Sequence, residues 1–542
     1  MFAQASRYFH TLRYLRPSQI AHQVVHRVRR AKLDLSPPPA FAPRADTWIM
    51  PARREPSMEG VGLFRFLGEA GSYRDIGWSG DEMPLLWRYN QHYFDDLNAA
   101  DAPSRDAWQR SAIADWLAQN APGSAPGYDP YTTSLRLVNW AKWLLGGAEP
   151  VDGMQASMAV QARLLMQRLE YHVRGNHLLS NGKALVFAGA LFTGDEADRW
   201  LRRGLAILRK ELPEQVLGDG GNYERSTMYH ALCFEDVLDL INLARARPGR
   251  IPRELTETMR QMAGPMRFWL DTMCHPDGEI AHFNDAAIGI APSPAELRRY
   301  ADALKVEARP GRDVERVAGQ AVWLRASGYV RVERDNAVLL CDLAPLGPDY
   351  LPAHGHADTL SFELSVHGQR LVVNGGTSRY GVGPERHAER GTGAHSTVQV
   401  SGEDSSEVWG GFRVARRAKP FDLVVRESEG VIEVAGSHDG YARLPEKPIH
   451  RRSWSMGERR LEITDSVAPQ APAIAQFVIH PDQAVERAAQ GDFATEQARF
   501  DVAEGNARTA PAAHSPRFGD RRDTVALAVE LVGGQSRVLI TW

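Results

Sequence analysis

Cysteine is scarce in this sequence of 542 residues. Cys233, Cys274 and Cys341 lie far apart and are odd in number, so they make neither a disulfide framework nor a cysteine-rich zinc site. Long apolar runs are also missing, and the sequence therefore predicts no transmembrane segment.

Neither sign of charge dominates the sequence. The 64 lysines and arginines nearly balance the 67 aspartates and glutamates, which gives a formal net charge of −3. Nucleic acid is not expected to be the main partner, because its binding needs a basic excess. A chain of this length with 43% hydrophobic residues is expected to fold into at least two globular domains.

Residues 1–60 combine a basic segment with a proline-rich connector. Ile20, Val24, Val25 and Val28 share one face of a predicted helix. We expect this helix to dock on the protein's own surface, with contact to a membrane as the alternative. Because arginines interrupt the segment, it lacks the continuous apolar region of a secretory signal, and by itself it predicts a cytoplasmic protein. These arginines are Arg7, Arg13, Arg16, Arg27, Arg29 and Arg30.

Two kinds of hydrophobic periodicity divide the rest of the chain. Between residues 105 and 275 apolar residues recur at helical spacing with short breaks, which predicts packed helical hairpins. After about residue 318 apolar and polar residues alternate, as in Leu360–Val366, and turn signals such as His367-Gly368 separate the runs.

This order predicts an α+β protein with more than one domain, because runs of helices before runs of strands form separate layers. We predict an α/α toroid, or a related helical superhelix, over residues 61–317. An antiparallel β-sandwich is predicted over residues 318–542. Its last hairpin is expected to join the run that begins at Val525 to the run that ends at Ile540.

Histidines in the β-rich half could supply chemistry. His354 and His356 stand one residue apart in the segment His354-Gly355-His356-Ala357-Asp358, so on extended backbone their side chains point to opposite sides. One can face a substrate while the other reaches a metal or a supporting carboxylate behind it. His395 follows in a second polar cluster, from Arg390 to Thr397.

The helical half holds further candidates. Asn176 and His177 open an apolar helix, where the amide is either an N-cap or part of an anion site at the helix mouth. Tyr229 stands early in a later helix, where it either packs in the core or exchanges a proton. Arg225 precedes Tyr229 by one helical turn and is expected to lower the pKa of its phenol.

Aromatic and polar residues also cluster where a sugar could bind. Arg88, Asn90, His92 and Arg136 lie among tryptophans and tyrosines. Apolar faces with polar groups at the rim suit a sugar ring, and arginines favour an acidic sugar because they bind carboxylates bidentately. A buried aromatic cluster without a function is the alternative.

Taken in order, these segments resemble the heparinase II/III family of polysaccharide lyases. The resemblance implies an α/α toroid followed by an antiparallel β-sandwich, and β-elimination on an acidic polysaccharide that contains uronic acid. The matching motifs are Asn176-His177-Leu178-Leu179-Ser180-Asn181, Glu224-Arg225-Ser226-x-x-Tyr229-His230, His354-Gly355-His356-Ala357-Asp358, Asn374-Gly375-Gly376-Thr377 and Arg390 to His395-Ser396-Thr397.

The resemblance implies roles for individual residues. Asn176 and His177 would neutralise the uronate carboxylate, so that the neighbouring proton can be removed. Tyr229 and His354 would be the acid and the base, in an order that depends on the stereochemistry of the uronate. The expected substrate contacts are Arg88, Asn90, His92, Arg136, Glu224 and Tyr380.

The resemblance also implies one structural zinc ion. His356 and His395 match metal ligands of some family members, but Asn374 stands where an aspartate is usual. An amide oxygen is a weaker zinc ligand than a carboxylate, so the asparagine argues against a bound metal.

Two other functions fit the same residues. A glycoside hydrolase would need two facing carboxylates, for which Glu224, Asp285 and Asp358 are available. A non-catalytic glycan-binding protein would keep the cleft without the chemistry. For a lyase, the lack of a dense basic tract favours a bacterial exopolysaccharide or capsule over highly sulfated heparin. The family resemblance, unlike the basic segment, implies a periplasmic location.

Overall fold

The computed structural model describes residues 2–28, 30–45, 47–488 and 492–542. Most of its helices precede residue 304, and most of its strands follow residue 313. The helices are α1 (Phe2–Leu12), α2 (Pro17–Val28), α3 (Tyr73–Ile76), α4 (Leu85–Tyr93), α5 (Asp106–Gln119), α6 (Pro130–Leu145), α7 (Met154–Gln167), α8 (Gly175–Leu191), α9 (Asp195–Gln215), α10 (Thr227–Ala246), α11 (Arg253–Thr272), α12 (Pro294–Ala303) and α13 (Pro384–Arg390).

The helical part is an α/α toroid in which α8 packs against α6, α7, α9 and α10. Glycines let α8 and α9 approach closely. A Cβ atom at Gly189 would lie 2.6 Å from the backbone nitrogen of Leu201, and one at Gly204 would lie 2.6 Å from the carbonyl oxygen of Gly182. Larger residues at these positions would push the two helices apart.

Most strands belong to the β-rich part. They are β4 (Val314–Val317), β5 (Ala321–Leu324), β6 (Tyr329–Arg334), β7 (Ala337–Asp342), β8 (Phe362–Val366), β9 (Gln369–Val373), β10 (Val398–Val400), β11 (Val408–Trp409), β12 (Arg413–Val414), β13 (Pro420–Ser428), β14 (Val431–His438), β15 (Ile449–Gly457), β16 (Arg460–Ala468), β17 (Ala473–Ile479), β18 (Glu486–Arg487), β19 (Phe493–Ala494), β20 (Arg499–Glu504), β21 (Asn506–Arg517), β22 (Asp520–Glu530) and β23 (Gln535–Thr541). Three earlier strands are β1 (Met58–Gly60), β2 (Leu63–Phe66) and β3 (Glu69–Ser72).

Two large antiparallel sheets form the β-sandwich. Within the described residues, one sheet has ten strands in the order β21-β22-β17-β9-β8-β7-β6-β5-β4, with β10 paired to β17. The other has eight strands in the order β13-β14-β15-β16-β23-β20-β19-β18. The inner faces meet in a hydrophobic core, where Phe362 of β8 contacts Trp454 of β15 with ring centroids 6.3 Å apart.

The toroid and the sandwich share a second, smaller core. Trp269 of α11 and Phe283 of the segment after it pack with Tyr329 of β6 and Leu340 of β7. The segment between α11 and α12, residues 273–293, therefore runs along the boundary between the two parts, where it can reach side chains of both.

Two details of the predicted fold were wrong. The runs at Val525 and Ile540 do not form a hairpin, because β22 and β23 belong to different sheets. The turn between them, which contains Gly533 and Gly534 with positive φ, carries the chain from one sheet to the other. The sheet β1-β2-β3 was not predicted, and it lies at the start of the stretch expected to be helical.

The helix predicted around Ile20 is α2, and it does dock on the protein, but not with its aliphatic face. Gln19 of α2 is buried and donates to the carbonyl oxygen of Tyr350, and His22 stacks on Tyr171. Ile20 and Val24 point outward and are exposed. In the described part of the chain, no helix combines the length and hydropathy needed to cross a membrane.

Candidate active site

His354 lies on the loop between β7 and β8, and residues of the Arg390–Thr397 segment hold that loop in place. Arg390 at the end of α13 donates to the carbonyl oxygen of Gly355 at 2.8 and 3.1 Å, and Thr392 donates to that of Ala357 at 2.8 Å. A Cβ at Gly355 would lie 2.3 Å from Leu346, so glycine permits this close turn. Arg390 and Thr392 therefore hold the histidine loop in place.

Glu224 contacts the edge of the His354 imidazole at Nδ1, and Tyr229 contacts one face of the ring. Nδ1 of His354 lies 2.5 Å from Oε2 of Glu224, whose side chain is buried. The Tyr229 ring stacks on the imidazole with centroids 3.8 Å apart and planes 16° from parallel. Glu224 therefore fixes the orientation of the imidazole and leaves its Nε2 atom for other chemistry.

Tyr229 is positioned by the start of α10. Ser226 caps this helix by accepting a hydrogen bond from the backbone nitrogen of Tyr229 at 3.1 Å, and its own hydroxyl donates to the carbonyl oxygen of Asp285. The Tyr229 hydroxyl lies 3.1 Å from that of Tyr380, which places Tyr380 in the same cluster as sequence reasoning expected.

Burial raises the pKa of the Tyr229 phenol well above its usual value of about 10, and the neighbouring Tyr380 hydroxyl and Asp285 carboxylate act in the same direction. The predicted lowering by Arg225 was wrong. Arg225 is turned toward the sandwich, where its guanidinium donates to the carbonyl oxygen of Ser327 at 2.9 Å. Tyr229 is consequently a neutral phenol that can donate a proton.

Asn176 and His177 lie at the start of α8, next to Glu224. A Cβ at Gly175 would be 3.2 Å from Oε1 of Glu224, so the beginning of α8 touches the His354 cluster. The His177 ring stacks on Tyr131 at 4.3 Å, and its Nδ1 lies 2.9 Å from Oε1 of Glu170. Asn176 and His177 are half-buried and are more accessible to solvent than the buried Glu224, Tyr229 and His354.

The charge of His177 follows from its neighbours. Burial opposes protonation of the ring, but the carboxylates of Glu170 and Glu224 outweigh this effect and raise the pKa of His177. Because Glu170 also accepts from Asn181 at 2.9 Å, its carboxylate is held in place. The start of α8 therefore places an imidazole whose protonated form is favoured next to an amide.

Behind the loop, a chain of polar side chains runs from Arg386 to Asn374. Arg386 binds both carboxylate oxygens of Asp285, and Oδ1 of Asp285 lies 2.8 Å from Nε2 of His356. Nδ1 of His356 lies 3.3 Å from Nε2 of His395, and Nδ1 of His395 lies 3.3 Å from Oδ1 of Asn374. His356 enters this chain of side chains while His354 faces Glu224, although the backbone at His354 is a turn rather than the extended strand that the sequence predicted.

These residues do not fit a three-ligand zinc site. The two nitrogens of His395 face different neighbours, so Asn374 and His356 lie on opposite sides of the same imidazole ring. One ion cannot contact all three in this arrangement. Among the residues described, no group of three or more histidine, cysteine, aspartate or glutamate side chains is arranged to hold a metal ion.

Four predicted substrate contacts lie elsewhere. His92 and Arg136 are fully buried in the aromatic core of the toroid, where Trp116 donates to Nδ1 of His92 at 2.8 Å and the Arg136 guanidinium stacks over the Trp116 ring at 4.1 Å. Burial lowers the pKa of His92 to about 3 and that of Arg136 to about 9. They are core residues, which was the alternative reading of this cluster.

Arg88 and Asn90 make hydrogen bonds within the protein. Arg88 donates to Asp81 at 2.6 Å, and Asn90 donates to the carbonyl oxygen of Leu86 within its own helix at 2.8 Å. The prediction that Glu224 is a substrate contact needs a similar correction, because its carboxylate is buried and directed at His354.

Sequence reasoning missed the roles of Asp285 and Arg386. From the sequence, Asp285 was considered only as a carboxylate of a hydrolase. In the structure, burial opposes the charge of Asp285, but Arg386 and His356 outweigh burial and hold its pKa well below the usual range. The Arg386 guanidinium also lies over the Tyr380 ring at 4.8 Å. The position of Arg386 close to the Arg390 motif was the only signal for its role in the sequence. Its partner Asp285 is 101 residues away in sequence, so the pairing was not apparent.

Comparisons with known proteins agree with this architecture. The chain matches the family Heparinase II/III N-terminus over residues 154–306 and the family Heparinase II/III-like, C-terminal over residues 316–542. It is similar to the structure titled Crystal Structure of Heparinase III, with a TM-score of 0.63 and 15% identity over 96% of this chain and 88% of the other.

Two curated relatives align with a shorter part of the chain. A heparin-sulfate lyase of Bacteroides stercoris is 24% identical over 250 residues, which is 43% of this chain and 37% of the relative. A heparin-sulfate lyase of Bacteroides thetaiotaomicron is 23% identical over 291 residues, 48% of this chain and 41% of the relative. The aligned region thus spans about two fifths of these relatives. With both family domains matched in order, the chain belongs to the heparinase II/III family.

Proposed function

We propose that this protein is a polysaccharide lyase that cleaves an acidic glycan by β-elimination at a uronic acid. The observation that carries the proposal is the arrangement of His354 between Glu224 and Tyr229, 2.5 Å from the carboxylate and stacked on the phenol. β-Elimination needs one group that takes a proton and one that gives a proton at adjacent positions of a sugar. An imidazole and a neutral phenol in contact meet that need.

His354 is the proposed base and Tyr229 the proposed acid. When Nδ1 of His354 donates its hydrogen to the Glu224 carboxylate, Nε2 carries the free electron pair. This nitrogen takes the proton from the carbon next to the uronate carboxylate. The electron pair of that C–H bond forms a C=C double bond, the bond to the glycosidic oxygen breaks, and the Tyr229 hydroxyl protonates the departing oxygen. No water is consumed.

Asn176 and His177 are proposed to bind the uronate carboxylate. They are more accessible to solvent than His354 and Tyr229, and the carboxylates around His177 favour its charged form. A positive imidazole and an amide stabilise the negative charge that spreads onto the carboxylate as the proton leaves. The start of a helix adds a partial positive charge at the same place.

The surroundings of the acidic side chains favour a lyase over a hydrolase. A hydrolase needs two carboxylates that face the scissile bond. Glu224 is directed at His354, and Asp285 is bound by Arg386 and His356. Asp358 is buried and accepts from the backbone nitrogen of Asn284 at 3.0 Å. None of the three candidates identified from the sequence is therefore available as a facing pair.

A uronate-containing bacterial exopolysaccharide, a capsule or a glycosaminoglycan is the proposed substrate class. The names of the relatives as heparin-sulfate lyases support a glycosaminoglycan. The sequence of the protein lacks a dense basic tract, which argues against a densely sulfated polysaccharide as the substrate. A periplasmic location is proposed with this substrate, since such polymers are handled outside the cytoplasm.

The test is to incubate the purified protein with a panel of uronate polysaccharides and follow the near-ultraviolet absorbance of the conjugated double bond. The panel should pair glycosaminoglycans with non-sulfated bacterial polymers. A lyase produces the absorbance and new reducing ends in equal amounts. Reducing ends without absorbance would identify a hydrolase, and binding without either product would leave only a glycan-binding protein.

A further inference from the structure

The first 33 residues have a charge unlike the rest of the chain. They contain no aspartate or glutamate, whereas the whole chain carries a slight excess of acidic residues. The basic residues of this stretch are Arg7, Arg13, Arg16, Arg27, Arg29, Arg30 and Lys32. Such a local excess predicts an anionic partner for this part of the molecule.

Helix α2 packs on the protein with its polar face and exposes its aliphatic face. Its inner contacts are made by Gln19, which donates to the carbonyl oxygen of Tyr350, and by His22 and His26, which stack on Tyr171 and His172. This is the reverse of a helix that docks on its own protein, where the aliphatic side chains are normally buried.

The exposed aliphatic residues of α2 form what we name the α2 face: Ile20, Val24, Val25 and Val28. Ile20, Val24 and Val28 are 53%, 58% and 76% exposed, and their spacing of four residues places them along one side of the helix. Of the seventeen large hydrophobic side chains exposed in the described residues, nine lie between Tyr8 and Leu35. Apolar surface concentrated in this way marks a contact site.

Basic side chains next to the α2 face are free to meet a partner. Arg27, Arg30 and Lys32 are exposed, and within the described part of the chain no acidic side chain forms an ion pair with any of the three. By contrast, Arg16 is bound to Glu214. Helix α2 therefore carries an aliphatic face, with an unpaired cation on the helix at Arg27 and two more just after its end at Arg30 and Lys32.

We propose that the α2 face docks on the surface of an anionic phospholipid bilayer. The aliphatic side chains would enter the region between headgroups and acyl chains, and Arg27, Arg30 and Lys32 would contact lipid phosphates. A surface contact, rather than a span, fits the absence of a helix able to cross a bilayer among the described residues.

Charge and side-chain type favour lipid over two other occupants. A second copy of the chain would bring its own cations against those of the first, which opposes dimerisation through this face. A glycan would need aromatic faces and hydrogen-bonding groups, and the α2 face offers only aliphatic side chains. An anionic bilayer supplies both the negative charge and the apolar region.

The experiment is co-sedimentation of the full chain with vesicles, one set containing phosphatidylglycerol and phosphatidylcholine and the other phosphatidylcholine alone. The wild type should bind the anionic vesicles and bind them less at high salt. The double substitution Ile20→Asp and Val24→Asp should weaken this binding at least ten-fold. Arg27→Gln with Arg30→Gln should weaken it about 25-fold, at about five-fold for each basic residue.

Val532→Asp is the matched control, because Val532 is similarly exposed on a turn of the sandwich. It should bind vesicles as the wild type does, and all variants should keep the wild-type melting temperature since the changed side chains are at the surface. Failure of the wild type to bind anionic vesicles would overturn the proposal. So would wild-type binding by the Ile20/Val24 variant, or a wild-type dimer in analytical ultracentrifugation that this variant converts to a monomer.

Discussion

Glu224→Gln tests whether the carboxylate beside His354 prepares the base. The substitution keeps the size and shape of the side chain and removes only its charge. Nδ1 of His354 is 2.5 Å from the buried carboxylate, and a buried hydrogen bond to a charged group contributes about 1.5–3 kcal/mol. We expect this hydrogen bond to stabilise the transition state in which the imidazole takes up a proton. Its loss in Glu224→Gln should then lower kcat about 10- to 150-fold.

The control for this experiment is Glu363→Gln. Glu363 is also a buried glutamate paired with a histidine, with its Oε2 atom 2.7 Å from Nε2 of His275, but it lies outside the cluster around His354. The control should lower the melting temperature and leave kcat within two-fold of the wild type. Equal values of kcat for Glu224→Gln and the wild type, measured from the double-bond absorbance, would refute the role given to Glu224.

Three further predictions concern protons and metal. Tyr229→Phe keeps the ring stacked on His354 and removes the hydroxyl, so kcat should fall about 10²–10⁴-fold while circular dichroism and glycan binding change little; wild-type turnover would exclude Tyr229 as the acid. The raised pKa of His177 means that its charge stabilises the fold below about pH 6.5 and that this contribution is lost as the pH rises through the raised value. His177→Gln should therefore flatten the melting temperature between about pH 5 and 8, and an unchanged slope would contradict this. Chelation with EDTA should alter neither melting temperature nor turnover, and a stoichiometric zinc found by elemental analysis would contradict the geometry at His356 and Asn374.

Much of the fold was predictable because hydrophobic spacing is a local property. The helical periods matched helices such as α6 and α8, and the alternating runs matched strands such as β8. Which strands pair is not local. The turn between β22 and β23 looks like a hairpin in sequence, but it joins two sheets whose pairing depends on residues far away. In the same way, spacing showed which residues of α2 share a face but not that this face is outside.

Site residues chosen because they stand in motifs of one family lie close together in the structure. Residues chosen because their surroundings are rich in aromatic side chains do not. Asn176, His177, Tyr229 and His354 come from segments that resemble one family in sequence order, and the structure brings these segments together. Arg136 and His92 were selected for their aromatic surroundings, which are the same in a sugar-binding cleft and in a toroid core. Only burial distinguishes the two.

Asp285 joins three parts of the molecule, and this has a consequence for folding. Its backbone nitrogen donates to the carbonyl oxygen of His354, its carbonyl oxygen accepts from Ser226 at the cap of α10, and its carboxylate binds Arg386 of α13. The contacts with His354 and Arg386 cross from the toroid to the sandwich, so they form only when both parts are folded and in place. Neither part can therefore assemble the histidine, tyrosine and carboxylate geometry alone, and a chain in which one domain has unfolded lacks this geometry even if the other domain remains native.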